Sequence, residues 1–233
     1  MRIGGFQKLS LVDFPGKVAA TVFVQGCNFH CGYCHNPDLV LLANFKATLP
    51  VQEVLTFLND RRGKIEGVVI TGGEPTLQQG LAPFIAQVKE MAFAVKLDTN
   101  GSHPEVLSSL LRSHLLDYIA MDIKSSLGKY PQLTGSASDP ALLKESIDLI
   151  INSGIPYQFR TTLVKEFCSP EDLDDIHRLI GKADHYVLQP FVRSQKLVDI
   201  RFDHPDQYTS AQVEALKAKY ELGTRPKGRE ENI

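Results

Sequence analysis

The sequence predicts an α/β fold built on a parallel sheet, and three observations carry that prediction. Apolar, β-branched runs of strand length alternate with helical patterns in six units along the chain. At 233 residues and 43% hydrophobic content the chain fits one large domain, able to bury a substantial core without disulfides. The polar motifs fall at the C-terminal ends of the apolar runs: Cys27, Gly72–Glu74, Asp98–Thr99, Asp122–Lys124, Arg160 and Gln189. Six units alone suit either an open doubly wound sheet or a barrel. The gathering of polar motifs on one edge favours a barrel-like curve, because that edge hosts the active site in parallel α/β barrels.

Residues 1–17 read as a short extended lead-in or hairpin, with Pro15-Gly16 as its turn. Ala19–Gln25 is the first apolar strand and delivers Gly26 and Cys27 at its end. Val51, Val54, Leu55 and Leu58 share one face of a helix over Leu49–Arg62, with Pro50 in its first turn. Gly67–Thr71 is a strand ending in Gly72-Gly73-Glu74-Pro75. A helix over Leu77–Met91 leads to the strand Phe93–Leu97 and then Asp98-Thr99-Asn100-Gly101. Pro104–Arg112 is helical, Asp117–Ile123 is a strand running into Lys124, and Ser125–Ser138 is a polar loop. Asp139-Pro140 opens a helix to about Asn152. The strand Pro156–Val164 carries Arg160. Ser169-Pro170 opens a helix to about Ile180, and His185–Phe191 is the sixth strand. Thr209-Ser210-Ala211-Gln212 has the form of a capping box before a last helix with Val213, Leu216 and Tyr220 on one face. Residues 1–223 make up the domain, and the polar tail 224–233 is expected to be mobile.

A formal charge of -2 provides no basic footprint, which disfavours nucleic acid as the main partner. Four cysteines, three of them clustered, do not form the framework of a secreted scaffold, and reduced thiols imply the cytosol. The N-terminus lacks the apolar core of a signal peptide, and no apolar stretch reaches the length of a membrane span. The expectation is a soluble cytoplasmic protein with no membrane partner.

Cys27, Cys31 and Cys34 stand in the pattern C-x3-C-x2-C. Fully extended, that segment spans at most about 26–29 Å, and it is free to curl, so three thiolates can converge on a single centre. Such soft ligands favour zinc, Cu(I) or iron–sulfur clusters. Structural zinc wants four ligands, and His30 or His35 is the local candidate for the fourth. An iron–sulfur cube on three cysteines leaves one iron open to a substrate. Cys168 reads as an ordinary semi-buried thiol. Gly72 and Gly73 suit a plain strand-to-helix turn, or a close backbone approach to a ligand with Glu74 presenting a carboxylate. Asp122 and Lys124 share a strand face, as a mouth salt bridge or a ligand contact requires. Arg160, set among apolar residues, needs an acid or a ligand beside it.

The cysteine pattern with Tyr33 before its last member resembles the cluster loop of the radical S-adenosylmethionine (SAM) enzymes. Val12-Asp13-Phe14-Pro15-Gly16-Lys17, Gln25-Gly26-Cys27 and Cys34-His35-Asn36-Pro37 narrow it, over roughly residues 3–192, to the glycyl-radical-enzyme activases. The resemblance is greatest to activating components of anaerobic ribonucleoside-triphosphate reductase. It implies a partial (β/α)6 TIM-like barrel of the radical SAM type, open on one side for a large substrate. It implies one 4Fe-4S cluster on Cys27, Cys31 and Cys34, and no catalytic side chain beyond the cluster and SAM. SAM is then held by Tyr33, Gly72, Gly73, Glu74, Asp98, Thr99, Lys124 and Arg160, with Gly72–Glu74 on its amino group and Lys124 on its carboxylate. Asp98, Thr99 and Asp122 are the implied donors for a monovalent cation. The implied reaction cleaves SAM reductively, with an electron from flavodoxin or ferredoxin, and leaves a glycyl radical on a partner enzyme.

Activases of pyruvate formate-lyase type share much of this pattern, as do radical SAM enzymes acting on a small molecule or nucleoside. A zinc-binding module is the non-enzymatic alternative. Two departures bear on the partner. The Asp-Gly-x-Gly-x-Arg lead-in of the pyruvate formate-lyase activases is here Asp13-Phe14-Pro15-Gly16-Lys17-Val18, without the glycine and arginine tied to gripping the partner's glycyl loop. The histidine of their last strand has Val192 in its place.

Overall fold

Ile3–Ser10 (β1) and Ala19–Val24 (β2) pair antiparallel in the computed structural model, which describes residues 1–135, 138–181, 183–204 and 206–223. The expected mobile tail, 224–233, lies outside the described residues, as do 136 and 137 of the expected polar loop. The lead-in is thus the first arm of a hairpin. Its turn forms where Pro15-Gly16 predicts it: Lys17 N–H donates to the Phe14 carbonyl at 3.1 Å, and Gly16 takes a φ of 72°.

From β2 onward each strand runs parallel to the last: Gly67–Gly72 (β3), Ala94–Thr99 (β4), Tyr118–Asp122 (β5), Tyr157–Leu163 (β6) and Tyr186–Pro190 (β7). Their order across the sheet is β1-β2-β3-β4-β5-β6-β7. A doubly wound sheet would reverse direction at some point; this one never does. Right-handed crossovers taken always in the same sense put the connecting helices on one face. The other face must then curl on itself, which makes a partial barrel with β1 and β7 as its edges.

The helices are Pro37–Val40 (α1), Val51–Asp60 (α2), Leu81–Glu90 (α3), Pro104–Arg112 (α4), Tyr130–Thr134 (α5), Pro140–Ile151 (α6), Pro170–Leu179 (α7) and Ser210–Tyr220 (α8). The capping residues act as the sequence predicts. Asp139 accepts the Ala141 N–H at 2.9 Å, and Ser169 and Thr209 each complete a capping box. Two expectations shift. Helix α3 begins at Leu81 rather than Leu77, because Gly80 sits in the left-handed region at φ 86° and Pro75–Leu77 forms a separate 3-10 turn. The expected polar loop contains α5, whose Tyr130 is buried and donates no signal of helical period in so short a run.

The strands divide their side chains between two environments. Toward the helices, residues such as Val22, Ile70, Leu97 and Met121 join one apolar cluster running from Ile3 to Tyr220. Toward the barrel interior, a small apolar floor of Phe14, Ala19 and Val69 packs against Ala94 and Tyr118. The Phe14 ring meets Tyr118 edge-on at 6.0 Å and is 3% exposed. Above this floor the interior turns polar, with Lys96, Asp98, Asp122 and Arg160 on successive strands. None of the described helices is long and apolar enough to cross a membrane.

Candidate active site

The segment that leaves β2 is held by the neighbouring strand before it reaches the first cysteine. Gly73 N–H donates to the Val24 carbonyl at 2.8 Å, and Glu74 N–H to the Gly26 carbonyl at 2.7 Å. A Cβ on Gly73 would fall on the Gly26 carbonyl, and one on Gly72, at φ 114°, would meet the Val24 backbone. The glycines therefore answer first to a close approach between two segments of this chain, whatever ligand they also face. On its far side the cysteine loop is clamped by the segment after β7. Val198 N–H donates to the Cys34 carbonyl at 3.0 Å and Asp199 N–H to that of Gly32 at 2.8 Å.

Cys27, Cys31 and Cys34 open onto one cavity of about 240 Å³ at the C-terminal edge of the parallel strands. Tyr33, Gly72 and Gly73 line it, as do Asp98, Thr99, Lys124 and Arg160. The Tyr33 ring stands edge-on to Phe191 and Phe202, each at 6.3 Å, and is nearly buried. The thiols are free. Cys27 Sγ accepts the Phe29 N–H at 3.4 Å and faces the Asn100 amide at 3.9 Å. Burial, then the Glu74 carboxylate, pushes the Cys27 thiol up to about 12; burial also pushes Cys31 up to about 11.

The thiols share a cavity but not a point. Among the described residues no three His, Cys, Asp or Glu side chains close on a single metal ion. His35 Nε2 lies 2.6 Å from the Val192 carbonyl with its ring tilted on Phe191, and His30 is exposed. His35 is thus held by packing and a hydrogen bond within the chain, and the His30 side chain faces solvent. An iron–sulfur cluster asks for another arrangement, with each thiolate on its own iron and N–H groups directed at the sulfurs. The donor set fits that group.

The interior charges form a row. Lys96 donates to Asp98 Oδ1, Arg160 reaches Asp98 Oδ2 at 3.4 Å and Asp122 Oδ1 at 2.8 Å, and Lys124 reaches Asp122 Oδ2 at 3.4 Å. Arg160 is accordingly paired with acids of β4 and β5. Burial alone would raise the Asp122 carboxyl, but Arg160 and Lys124 outweigh it and hold it below the usual range. Burial opposes the charge on Lys124, yet Asp122, with the Tyr33 and Cys31 acid groups beyond, carries it well above the ordinary lysine value.

Glu74 is placed differently from its expected role. It is fully buried behind the cavity wall. Its carboxylate accepts from Thr76 N–H at 3.0 Å, Thr76 Oγ1 at 2.5 Å, Thr99 Oγ1 at 2.7 Å and Asn100 N–H at 2.7 Å. Burial raises its pKa, against those four donors. In this position it ties the end of β3 to the end of β4.

Other residues of the site went unread in the sequence. Asn100 donates to Asn28 Oδ1 at 2.9 Å, and Asn28 donates to Ser102 Oγ at 2.9 Å, joining the cysteine loop to the turn after β4. Nothing local marks a pair 72 residues apart. Lys96 had a signal, an amine in an apolar strand two residues before Asp98 and so on the same face. Cys168 is buried and donates to the Thr162 and Lys124 carbonyls at 3.4 and 3.6 Å, as an ordinary thiol does.

The chain is also similar to known proteins. A protein of Methanocaldococcus jannaschii assigned by name as a glycyl-radical enzyme activating enzyme is 36% identical over 194 residues, 81% of this chain and 79% of that one. The pyruvate formate-lyase-activating enzyme of Clostridium pasteurianum is 35% identical over 134 residues, so that the match spans about half of either chain (53% and 52%). In fold, the crystal structure of Streptococcus suis SuiB bound to SAM superposes with a TM-score of 0.65 at 16% identity. That likeness covers 84% of this chain and 44% of SuiB. Residues 21–180 match the Radical SAM superfamily, and the chain belongs to it: it is a radical SAM enzyme, of a family that works with a 4Fe-4S cluster and SAM.

Proposed function

We propose that this enzyme activates a glycyl-radical enzyme, with anaerobic ribonucleoside-triphosphate reductase as the partner. The observation that carries the reading is the single cavity, opened onto by three thiols and a lysine ammonium, at the edge of a barrel left unclosed between β1 and β7. The names of the M. jannaschii and C. pasteurianum relatives support the activase class. Cys27, Cys31 and Cys34 would hold the cluster. When bound and reduced by flavodoxin or ferredoxin, the cluster supplies the electron that breaks the S–C5′ bond of SAM, and the 5′-deoxyadenosyl group released takes a hydrogen atom from a glycine Cα of the partner.

The side chains bind and orient. Lys124 meets the SAM carboxylate, and the Gly72 and Gly73 backbone carbonyls meet its amino group. Tyr33, Asp98 and Thr99 line the same space. Glu74 and Arg160 act behind them, Glu74 by fixing the ends of β3 and β4 and Arg160 by fixing Asp98 and Asp122. Holding the reactants together turns a bimolecular encounter into an effectively unimolecular step. A monovalent cation would find Asp98, Thr99 and Asp122 as donors, each already engaged within the chain. Free thiols and an oxidisable cluster suit the cytoplasm.

The lead-in supports a partner other than pyruvate formate-lyase. Asp13 accepts from Thr21 at 2.7 Å and Phe14 closes the barrel floor, so both serve the fold. The C. pasteurianum match favours the second reading, a partner of pyruvate formate-lyase type. Protein reconstituted anaerobically with iron and sulfide is reduced, supplied with SAM and mixed with each candidate partner. The expected result is 5′-deoxyadenosine and a glycyl doublet by electron paramagnetic resonance with the ribonucleotide reductase. A doublet only with another partner would remove the specific assignment. Stoichiometric zinc with no SAM cleavage would remove the activase reading altogether.

A further inference from the structure

We propose that Lys96 is a built-in counter-ion for the floor of this site, so that the site needs no solute cation and Lys124 stays free for the carboxylate of the ligand. Lys96 lies in the middle of β4, 2% exposed, between Val95 and Leu97, both buried on the opposite face. Its ammonium donates to Asp98 Oδ1. A charge so deep in the fold is tolerated only when paired, and here it heads a row that alternates in sign: Lys96, Asp98, Arg160, Asp122, Lys124.

Each of the four carboxylate oxygens of Asp98 and Asp122 has a cation of the chain beside it. The remaining oxygen donor, Thr99, has its hydroxyl on Glu74. A sodium or potassium ion would have to displace an ammonium or a guanidinium to reach this floor. The row holds three cations against two anions, and its surplus stands at the end that faces the thiols.

Lys96 sets where that surplus lies. With Asp98 served by Lys96, Arg160 turns its closest contacts, at 2.8 Å, to Asp122 and stands 3.4 Å from Asp98. Among the described residues Lys124 is then left with one long side-chain contact, 3.4 Å to Asp122, and keeps donors for an anionic group in the cavity. Without Lys96, Arg160 is drawn to Asp98 and Lys124 to Asp122. Lys96 touches no ligand, and acts as a positioning residue.

The ligand part of this inference rests on the cavity holding SAM; the ion part rests on the geometry alone. Cluster-free wild-type protein is melted in sodium, potassium and choline chloride at equal ionic strength, and one Tm is expected in all three. Lys96→Met, close to the same volume, is expected to gain a saturable rise of about 2–4 °C in sodium or potassium over choline. In the reconstituted variant SAM binding weakens about tenfold in choline and recovers with the alkali ion. A saturable, ion-specific rise in the wild type would overturn the inference. So would a Lys96→Met protein that is folded by circular dichroism yet melts alike in all three salts. Reconstituted wild type that binds no SAM would defeat the reading of the site, while the melts still decide the counter-ion.

Discussion

A thiol surrounded by apolar side chains resists ionisation, and Cys27 and Cys31, at about 12 and about 11, sit above the ordinary value of 9.0 that applies to the unfolded chain. The native state therefore disfavours their thiolates. The resulting stability is fully present below 9.0 and is lost as pH rises toward the folded values. Cluster-free protein is expected to melt progressively lower above about pH 9, and Cys27→Ala with Cys31→Ala to blunt that loss in a pH series of thermal melts. With the cluster bound the thiols enter as thiolates, so alkaline loss of this origin disappears. Cys27→Ala, Cys31→Ala or Cys34→Ala is expected to abolish the brown chromophore, and Cys168→Ala to keep it, as iron content per chain will report. At this scale spacing was a good guide to which cysteines share a cavity, because all three lie on one short loop. It could not decide the role of Glu74, since its four donors come from Thr76, Thr99 and Asn100, partly on another strand.

The elements around the cysteine loop are joined by a few polar contacts. Helix α5 supports the loop, with His30 N–H on the Thr134 carbonyl at 2.7 Å and Phe29 edge-on to Tyr130 at 6.2 Å. Asp172 of α7 in turn supports the approach to α5, accepting from Ser126 at 2.7 Å and Lys129 at 2.5 Å while completing the Ser169 capping box. Asp172→Ala removes a cap and strands Ser126 in a buried site. Urea unfolding is expected to show a loss of about 2–3 kcal/mol. Gly73→Ala sets a methyl against backbone that cannot yield, and is expected to lower cluster occupancy as well as Tm. Helix starts such as Asp139-Pro140 and Ser169-Pro170 were readable because a cap is a local hydrogen bond. Helix α5 escaped because a single turn has no period to detect.

Across the whole molecule, the curl of the sheet leaves an interior with two ends. Phe14 closes one, and the cysteine loop with the segment after β7 covers the other. Phe14→Ala is expected to cost about 3–5 kcal/mol in denaturant unfolding, since it empties a buried ring-sized space beside Tyr118. In the related activases a glycine and an arginine of the lead-in are tied to the partner; this chain has neither, and Phe14 of its lead-in serves the barrel floor. By itself the sequence determined the alternation of strands and helices, the edge on which the polar motifs gather and the three clustered thiols, because each is written within a few neighbouring residues. Only the tertiary structure decided which charge meets which. Asp98 could face an ion or Arg160 until β4, β5 and β6 were set side by side, and a pairing between strands depends on register and curvature that no single segment carries.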